Sequence, residues 1–233
     1  MKNSKKLIRL VLILIVGGVA YWQKGRFSEN DSASRGSSNT PTISESQVST
    51  GSGLVSKTGR YEKLDDCRLV DAKNNDGDSF MVRHGNREFE LRLYFVDAPE
   101  KYLSDRHESQ RRRVAEQARE MGGVEVDEIV QIGLDAKEFS RKQLSGKTFT
   151  VYTYWEEVYD GNRYYGFVEL PGSGEFLGNE LVKNGLVRIH TKGPGSKQDP
   201  VPTPKGAAFF KHRDKLYALE KGAQRSKVGV WGL

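Results

Sequence analysis

The sequence contains little of what disulfide frameworks and transition-metal sites require. Cysteine occurs once in the 233 residues, at Cys67, and histidine occurs four times. A single cysteine excludes an intrachain disulfide and any zinc or iron–sulfur site with several cysteine ligands. The four histidines argue against a histidine-rich metal cage. We predict that Cys67 is a small buried hydrophobe rather than a reactive thiol.

Most of the chain also lacks an excess of charge of either sign. The net charge is +6, but residues 1–58 hold eight Lys and Arg against three Asp and Glu, which leaves 29 against 28 in the remainder. The basic excess lies in the N-terminal region, so the net charge is no evidence for a nucleic-acid partner. No internal repeat is visible, which excludes solenoids and propellers, and the length suits one domain with appendages.

Residues 1–27 have the pattern of an export leader. Basic residues precede an apolar run of 13 residues, Leu10 to Trp22. A membrane-spanning helix needs about 17–25 residues. Two interpretations stay open: a signal peptide cleaved after Ala20, or an uncleaved membrane tether through residues 7–22. Under both, we expect the domain to be exported, either secreted or periplasmic, or anchored to the membrane by its N-terminus.

The rest of the chain divides into a linker and a domain. Residues 28–58 are rich in Ser and Thr and contain no aromatic residue, which predicts a disordered linker. In the domain, residues 59–233, period-two alternation predicts a strand over 88–95, with Phe89, Leu91, Leu93 and Phe95 on one face and Arg92 and Tyr94 on the other. Further strands are predicted at 79–83, 148–154 and 164–170, and one early strand carries Cys67.

Helical spacing predicts three helices, near residues 132–143, 177–182 and 209–223. A block of strands with helices inserted and appended predicts an α+β fold that is mainly a β barrel. We expect a five-stranded antiparallel barrel of the OB type with about three helices.

Two acidic clusters flank the predicted hairpin. Asp76-Gly77-Asp78 precedes its first strand, and Asp97-Ala98-Pro99-Glu100 follows its second strand, which carries Arg92. Taken separately, the first cluster is a typical turn and the second a typical strand end. Together they can meet, and carboxylates suit Ca²⁺ or Mg²⁺ while a guanidinium suits phosphate. This composition indicates a metal-assisted phosphodiester site.

These residues belong to a longer series of ordered blocks. The blocks at 76–78, 89–93 and 96–100 are followed by Gly-Asn-Glu-Leu-Val-Lys-Asn-Gly-Leu-Val at 178–187, and by further blocks at 216–223 and 228–231. In this order they resemble the staphylococcal nuclease (thermonuclease) family over most of residues 60–233.

The resemblance implies an OB-fold enzyme that hydrolyses DNA and RNA with Ca²⁺ and leaves 3′-phosphates. It implies that Asp78 and Asp97 bind Ca²⁺ through their carboxylates and Ala98 through its main-chain carbonyl, at a position where most relatives carry Thr. It further implies that Glu100 orients or deprotonates the attacking water and that Arg92 holds the scissile phosphate.

The family's second arginine follows a Tyr-Gly pair just before a strand, and two alignments are open here. A gapless alignment into the strand matches Arg163, although the Tyr-Gly pair is absent before it. Aligning on Tyr165-Gly166 would instead place Phe167 at that position and predict a crippled enzyme. We predict Arg163, because Phe167 and Val168 then stay in register as strand residues.

Residues 104–130 form a charged insertion that contains Arg111-Arg112-Arg113. One interpretation is an additional clamp on the nucleic-acid backbone. The other is a solvated helical excursion in which glutamates balance the arginines. The family's substrate-stacking tyrosines are not evident after Gly185, where a Gly/Pro-rich loop at 193–206 follows.

The sequence thus predicts an exported Ca²⁺-dependent endonuclease that acts as a monomeric domain on DNA or RNA, or both, with little sequence specificity. One alternative is a non-catalytic OB-fold module that binds single-stranded nucleic acid. Another is an enzyme for a different phosphodiester. The intact set of Asp78, Asp97, Glu100 and Arg92 favours the enzyme, because a pure binding module has no need of it.

Overall fold

A computed structural model of the chain describes residues 54–55, 61–104, 106–158, 161–189 and 205–233, with side chains from 208 onward in the last range. All of these lie in one of two units of the chain, Gln47–Leu233. The predicted leader, all but two residues of the predicted linker and the loop at 193–204 lie outside the described residues. Val55, within the range assigned to the linker, is 2% exposed and packs in the core. No described helix is long and apolar enough to cross a membrane.

Five strands close into a barrel of the predicted OB type, in an α+β fold. The strands are β1 (Glu62–Leu69), β2 (Ser79–His84), β3 (Arg87–Leu93), β4 (Phe149–Thr153) and β5 (Arg163–Glu169). They are ordered β1-β2-β3-β5-β4 around the barrel, and β4 pairs with β1 to close it.

One strand pair corrects the expected antiparallel barrel. β3 and β5 are parallel, whereas the other four pairs are antiparallel. The reason is geometric: strand directions cannot alternate all the way round a closed ring with an odd number of strands, so one pair has to be parallel. This pair places the start of β5 beside the middle of β3.

The β2–β3 hairpin sets the position of Arg92. Its two-residue turn is Gly85-Asn86, where Gly85 has a φ of +57°, which glycine adopts without strain. The resulting register places Arg92 opposite Ser79, the residue that follows Asp78 in the chain. The strand ends at Leu93, because the chain turns at Phe95, whose φ is +68°. The segment that carries the second acidic cluster follows this turn.

Among residues 61–233, in the part that the structure describes, four α-helices and a short 3₁₀ helix accompany the barrel. They are α1 (Glu108–Glu120), α2 (Val126–Leu144), α3 (Leu177–Lys183), α4 (Lys205–Ser226) and the 3₁₀ helix Gly229–Gly232. The three predicted helices correspond to α2, α3 and α4. The additional one, α1, lies in the charged insertion. α2 begins earlier than predicted, after a capping box between Glu125 and Glu128.

The described residues of the domain form two apolar clusters. The barrel core contains the inward faces of the strands, including Phe89, Leu91 and Leu93, each at most 2% exposed. The second, here called the helical cluster, consists of Val114, Ala118, Met121, Ile129, Ile132 and Val230.

Cys67 lies in the barrel core, as predicted. It is fully buried, and its thiol donates to the carbonyl of Leu64 at 3.3 Å. Burial raises the pKa of this thiol to about 12, so it is not a reactive thiolate near neutral pH.

Candidate active site

Arg92 connects the two acidic clusters. Its Nη1 lies 2.9 Å from Oδ1 of Asp78, and its Nη2 lies 2.5 Å from Oδ1 of Asp97. The side chains of Arg92, Asp78 and Asp97 are only 15%, 2% and 7% exposed. The hairpin therefore brings together the acidic residues and the arginine that the sequence singled out.

Burial and charge act in opposite directions on these groups. Burial raises the pKa of Asp78 to about 7, against the opposing effect of Arg92. Burial alone would also raise the pKa of Asp97, but Arg92 and Arg188 outweigh it and hold that pKa below its usual range. Burial would lower the pKa of Arg92, yet the two carboxylates raise it. One guanidinium thus holds a pair of carboxylates of which Asp78 is the harder to ionise.

Asp97 is fixed from the opposite side by Arg188. The two residues exchange main-chain hydrogen bonds of 3.0 and 3.1 Å. Nε of Arg188 donates to Oδ2 of Asp97 at 2.8 Å, and its Nη1 donates to Glu120 at 2.7 Å. Sequence reasoning missed Arg188, although a basic residue inside the apolar run 186–189 was a usable signal.

Ala98 lies at the centre of the same network. Its main-chain N–H donates to Oδ2 of Asp78 at 2.5 Å. Its carbonyl oxygen accepts from Nε2 of Gln117 at 3.2 Å. The carbonyl that the resemblance assigns to the metal thus belongs to a residue whose N–H contacts the Asp78 carboxylate, and it already accepts one hydrogen bond.

Glu100 is held by two helices, α1 and α2. Its side chain is 15% exposed and lies 2.6 Å from Nη2 of Arg113. Its main-chain N–H donates to Oε1 of Gln117 at 3.1 Å. On the other side, a Cβ at Gly133 of α2 would lie 2.6 Å from the carbonyl oxygens of both Pro99 and Glu100. A glycine is required there because the helix backbone packs directly on this segment.

The contacts from Gln117, Arg113 and Gly133 were not predicted. The available signal was Gln117 itself. It stands among Val114, Ala118 and Met121 at helical spacing, and an amide on an apolar stripe indicates a specific polar partner.

Arg163 lies on the neighbouring strand rather than in the central cluster. It pairs in register with Glu90, two residues before Arg92 on β3, and its Nη2 lies 2.7 Å from Oε1 of Glu90. Its side chain is 38% exposed. Phe167, the position given by the other alignment, is 3% exposed and stacks on Phe176 with ring centroids 4.8 Å apart.

The insertion is not a solvated excursion on all sides. α1 buries Val114, Gln117 and Ala118 completely or nearly so, and its Arg111, Arg112 and Arg113 lie on the exposed side. The interpretation of the insertion as a helix is confirmed, but α1 is solvated on one face only, because its other face has an apolar stripe that packs in the helical cluster.

The donors at the centre suit a hard cation. In the described ranges, no three side chains of His, Cys, Asp or Glu form a metal-binding group. The oxygens available instead are the carboxylates of Asp78 and Asp97, which share the guanidinium of Arg92, and the main-chain carbonyl of Ala98, the residue after Asp97. Carboxylate and carbonyl oxygens are hard donors, so this donor set fits a divalent cation that completes its shell with water or substrate oxygens.

The similarity of the chain to known proteins covers most of the domain. A search of curated proteins finds no match. The family model described as staphylococcal nuclease homologue matches residues 90–232, a range that begins after Asp78 and includes Arg92, Asp97, Glu100 and Arg163. This match covers more than half of the chain, which therefore belongs to the staphylococcal nuclease homologues.

Proposed function

We propose that the chain is an exported, Ca²⁺-dependent endonuclease that hydrolyses phosphodiester bonds of DNA or RNA with little sequence specificity and leaves 3′-phosphates. The observation that carries this proposal is the bridge from Arg92 to both Asp78 and Asp97, with Glu100 three residues further along the chain. A module that only binds nucleic acid gains nothing from two buried carboxylates, which repel phosphate. The apolar leader supports export or a membrane tether.

Asp78, Asp97 and the carbonyl of Ala98 would hold the metal. When bound, Ca²⁺ supplies positive charge that neutralises phosphoryl oxygens and the two carboxylates. The protein contributes fewer oxygens than the six to eight that Ca²⁺ takes, which leaves room for a phosphate and water.

Two arginines would contact the phosphate. Arg92 lies at the centre, and Arg163 starts the adjacent parallel strand with a side chain that is 38% exposed. A guanidinium offers two parallel N–H donors to phosphate oxygens, so Arg163 can exchange its contact with Glu90 for one with substrate. The buried position of Phe167 supports Arg163 as the second arginine.

Glu100 would orient and deprotonate the water that attacks phosphorus in line with the leaving oxygen. Its carboxylate is partly accessible and is oriented by Arg113. As negative charge grows on the phosphoryl oxygens, Arg92 and Arg163 stabilise the transition state more than the ground state.

The test uses the full chain, purified in mild detergent, with single-stranded DNA, duplex DNA and RNA oligonucleotides in Ca²⁺ or in a Ca²⁺ chelator. We expect cleavage in Ca²⁺ only. Glu100→Gln should lower kcat by about 10²- to 10⁴-fold, and Arg163→Gln by about 10²- to 10³-fold.

The matched control is Arg83→Gln, which removes an exposed ion pair with Glu88 at the far end of the same hairpin. This variant should cut as the wild type does, because exposed pairs contribute little. If the folded wild type binds the oligonucleotides in Ca²⁺ but never cuts them, the enzyme proposal is wrong and the binding module is the better account.

A further inference from the structure

The inserted helix α1 is held in place independently of the charged site. Val114, Ala118 and Met121 are at most 4% exposed and pack in the helical cluster against α2 and Val230. Their spacing along the chain places them on one face of the helix. This apolar packing fixes the position of α1. A polar side chain on the same face therefore lies at a fixed position relative to the candidate active site.

Gln117 is the polar residue on that face, and it is fully buried. Its Nε2 donates to Oδ2 of Asp97 at 3.1 Å and to the carbonyl of Ala98 at 3.2 Å. Its Oε1 accepts from the main-chain N–H of Glu100 at 3.1 Å. One carboxamide thus contacts three of the residues proposed to act on metal or water.

The orientation of this amide is determined by its partners. Asp97 and the Ala98 carbonyl can only accept, whereas the Glu100 N–H can only donate. A flipped amide would place its NH₂ group against that N–H and its oxygen against two acceptors. Both donors of Gln117 and one acceptor site are therefore used, and an apolar or shorter side chain cannot replace them.

The two oxygens of the Asp97 carboxylate have different partners. Oδ2 accepts from Gln117 and Arg188, and Oδ1 faces Arg92. Holding Oδ2 fixes the plane of the carboxylate and leaves Oδ1 directed towards the centre of the site. The same amide restricts rotation of the Ala98 carbonyl and of the peptide group before Glu100.

We propose that Gln117 is a positioning residue, through which the inserted helix holds Asp97, the Ala98 carbonyl and Glu100 in one arrangement for metal binding and for attack by water. The inference rests on the proposed function and adds a role for the insertion. Hydrogen-bond partners of metal ligands typically change metal affinity or activity by about 10- to 100-fold when removed.

The experiment compares Gln117→Met with Val114→Ala in the full chain. Methionine keeps the volume but cannot make the three hydrogen bonds, whereas Val114→Ala weakens the packing of the same helix one turn away and leaves those bonds intact. Ca²⁺ affinity is measured by calorimetry without substrate, kcat and KM with a single-stranded DNA oligonucleotide, and folding by thermal unfolding.

We expect Gln117→Met to weaken Ca²⁺ binding and lower kcat, each by at least about tenfold, with a smaller change in KM. Val114→Ala should lower the unfolding temperature while Ca²⁺ affinity and kcat stay near the wild type. Equal losses in the two variants would mean that Gln117 only supports the helix, and the inference would be wrong.

A second variant covers the case in which Gln117→Met fails to fold. Gln117→Glu keeps the shape and the acceptor for the Glu100 N–H but cannot donate to Asp97 and Ala98 together, because a carboxylate has no donor and a protonated carboxyl has only one. Its kcat should therefore also fall at least about tenfold. Wild-type kcat in a folded Gln117→Glu would overturn the inference. A wild type that neither binds Ca²⁺ nor cuts would overturn the proposed function as well, whereas a wild type that cuts with an unaffected Gln117→Met overturns the inference alone.

Discussion

The barrel and the inserted helix contribute to the candidate site in different ways. The barrel provides charge: Arg92 lies on β3, and Asp78 and Asp97 lie beside the β2–β3 hairpin. The helix provides position: Gln117 and Arg113 contact the segment that carries Ala98 and Glu100. The chemical groups of the site and the contacts that align them are therefore separable, because they come from regions with separate apolar clusters.

The two regions also differ in how their electrostatics are compensated. At the barrel, burial raises the pKa of Asp78 to about 7, and one arginine serves two carboxylates. The contacts from the helix come from the uncharged Gln117, which donates to Asp97, and from two ion pairs, Arg113 with Glu100 and Glu120 with Arg188. Disturbing the barrel side should therefore change the charge balance of the site, while removing Gln117 should act on metal binding and cleavage through geometry.

The largest expected effect comes from Arg92→Gln. The change leaves two buried carboxylates without their shared guanidinium, so metal-free protein should lose about 3–5 kcal/mol in its free energy of unfolding. Ca²⁺ should restore part of that loss because it supplies the missing positive charge. Cleavage should fall by about 10³-fold.

Thermal and urea unfolding in Ca²⁺ and in chelator, together with kcat, check this prediction. Arg83→Gln is again the control for loss of an arginine on the hairpin. An equal loss of stability with and without Ca²⁺ would contradict a metal site at these carboxylates.

A smaller effect is expected from Gly133→Ala on α2. The new Cβ would lie 2.6 Å from the carbonyl oxygens of Pro99 and Glu100, so the segment or the helix has to shift. Overpacking of this kind costs about 1–3 kcal/mol, and displacement of Glu100 should lower kcat by about tenfold. Denaturant unfolding and steady-state kinetics measure both.

Gly222→Ala is the matched control, because it places a methyl group in another helix with nothing within 4 Å. It should raise stability by about 0.5–1 kcal/mol and leave kcat unchanged. If Gly133→Ala behaves in the same way, Gly133 does not set the position of Glu100.

The smallest effect on activity is expected from His212→Leu, which removes the buried imidazole of α4. Burial lowers the pKa of His212 to about 4, below the 6.5 of an exposed histidine. Between these values the unfolded chain binds a proton that the folded chain does not, so the stability contributed above pH 6.5 is lost as the pH falls towards 4.

The resulting loss of unfolding free energy between pH 6.5 and pH 4 is about 3 kcal/mol. His212→Leu should flatten the dependence of unfolding free energy on pH in this window and leave Ca²⁺-dependent kcat near the wild type. If the unfolding free energy falls with pH equally in His212→Leu and in the wild type, His212 does not cause this pH dependence.

The sequence predicted the strands well where residues alternate between faces. Phe89, Leu91 and Leu93 are buried as expected, because period-two alternation reports directly which face of a strand is apolar. Tyr94 was expected on the opposite face, yet it is 3% exposed and its hydroxyl donates to Glu156 at 2.6 Å. Alternation could not reveal this, because the partner lies 62 residues further along the chain.

The insertion was the least predictable part. Its composition is charged, and the three consecutive arginines drew attention to the exposed face of α1. The informative residues were on the other face, where an apolar stripe includes Gln117. Helical spacing could indicate that this face is buried, but the identity of the surface that covers it depends on how distant segments pack.

Local patterns in the sequence are enough to identify the chemical groups of the site and the groups that lie near each other along the chain. The acidic clusters, the arginines and the family blocks are such patterns, and a strand followed by a tight turn fixes their spacing. The bridge from Arg92 to Asp78 and Asp97, and the contacts of Gln117 with Ala98 and Glu100, depend instead on the packing of the whole domain. These contacts join segments that become neighbours only when the barrel closes and both apolar clusters are buried, which no local pattern encodes.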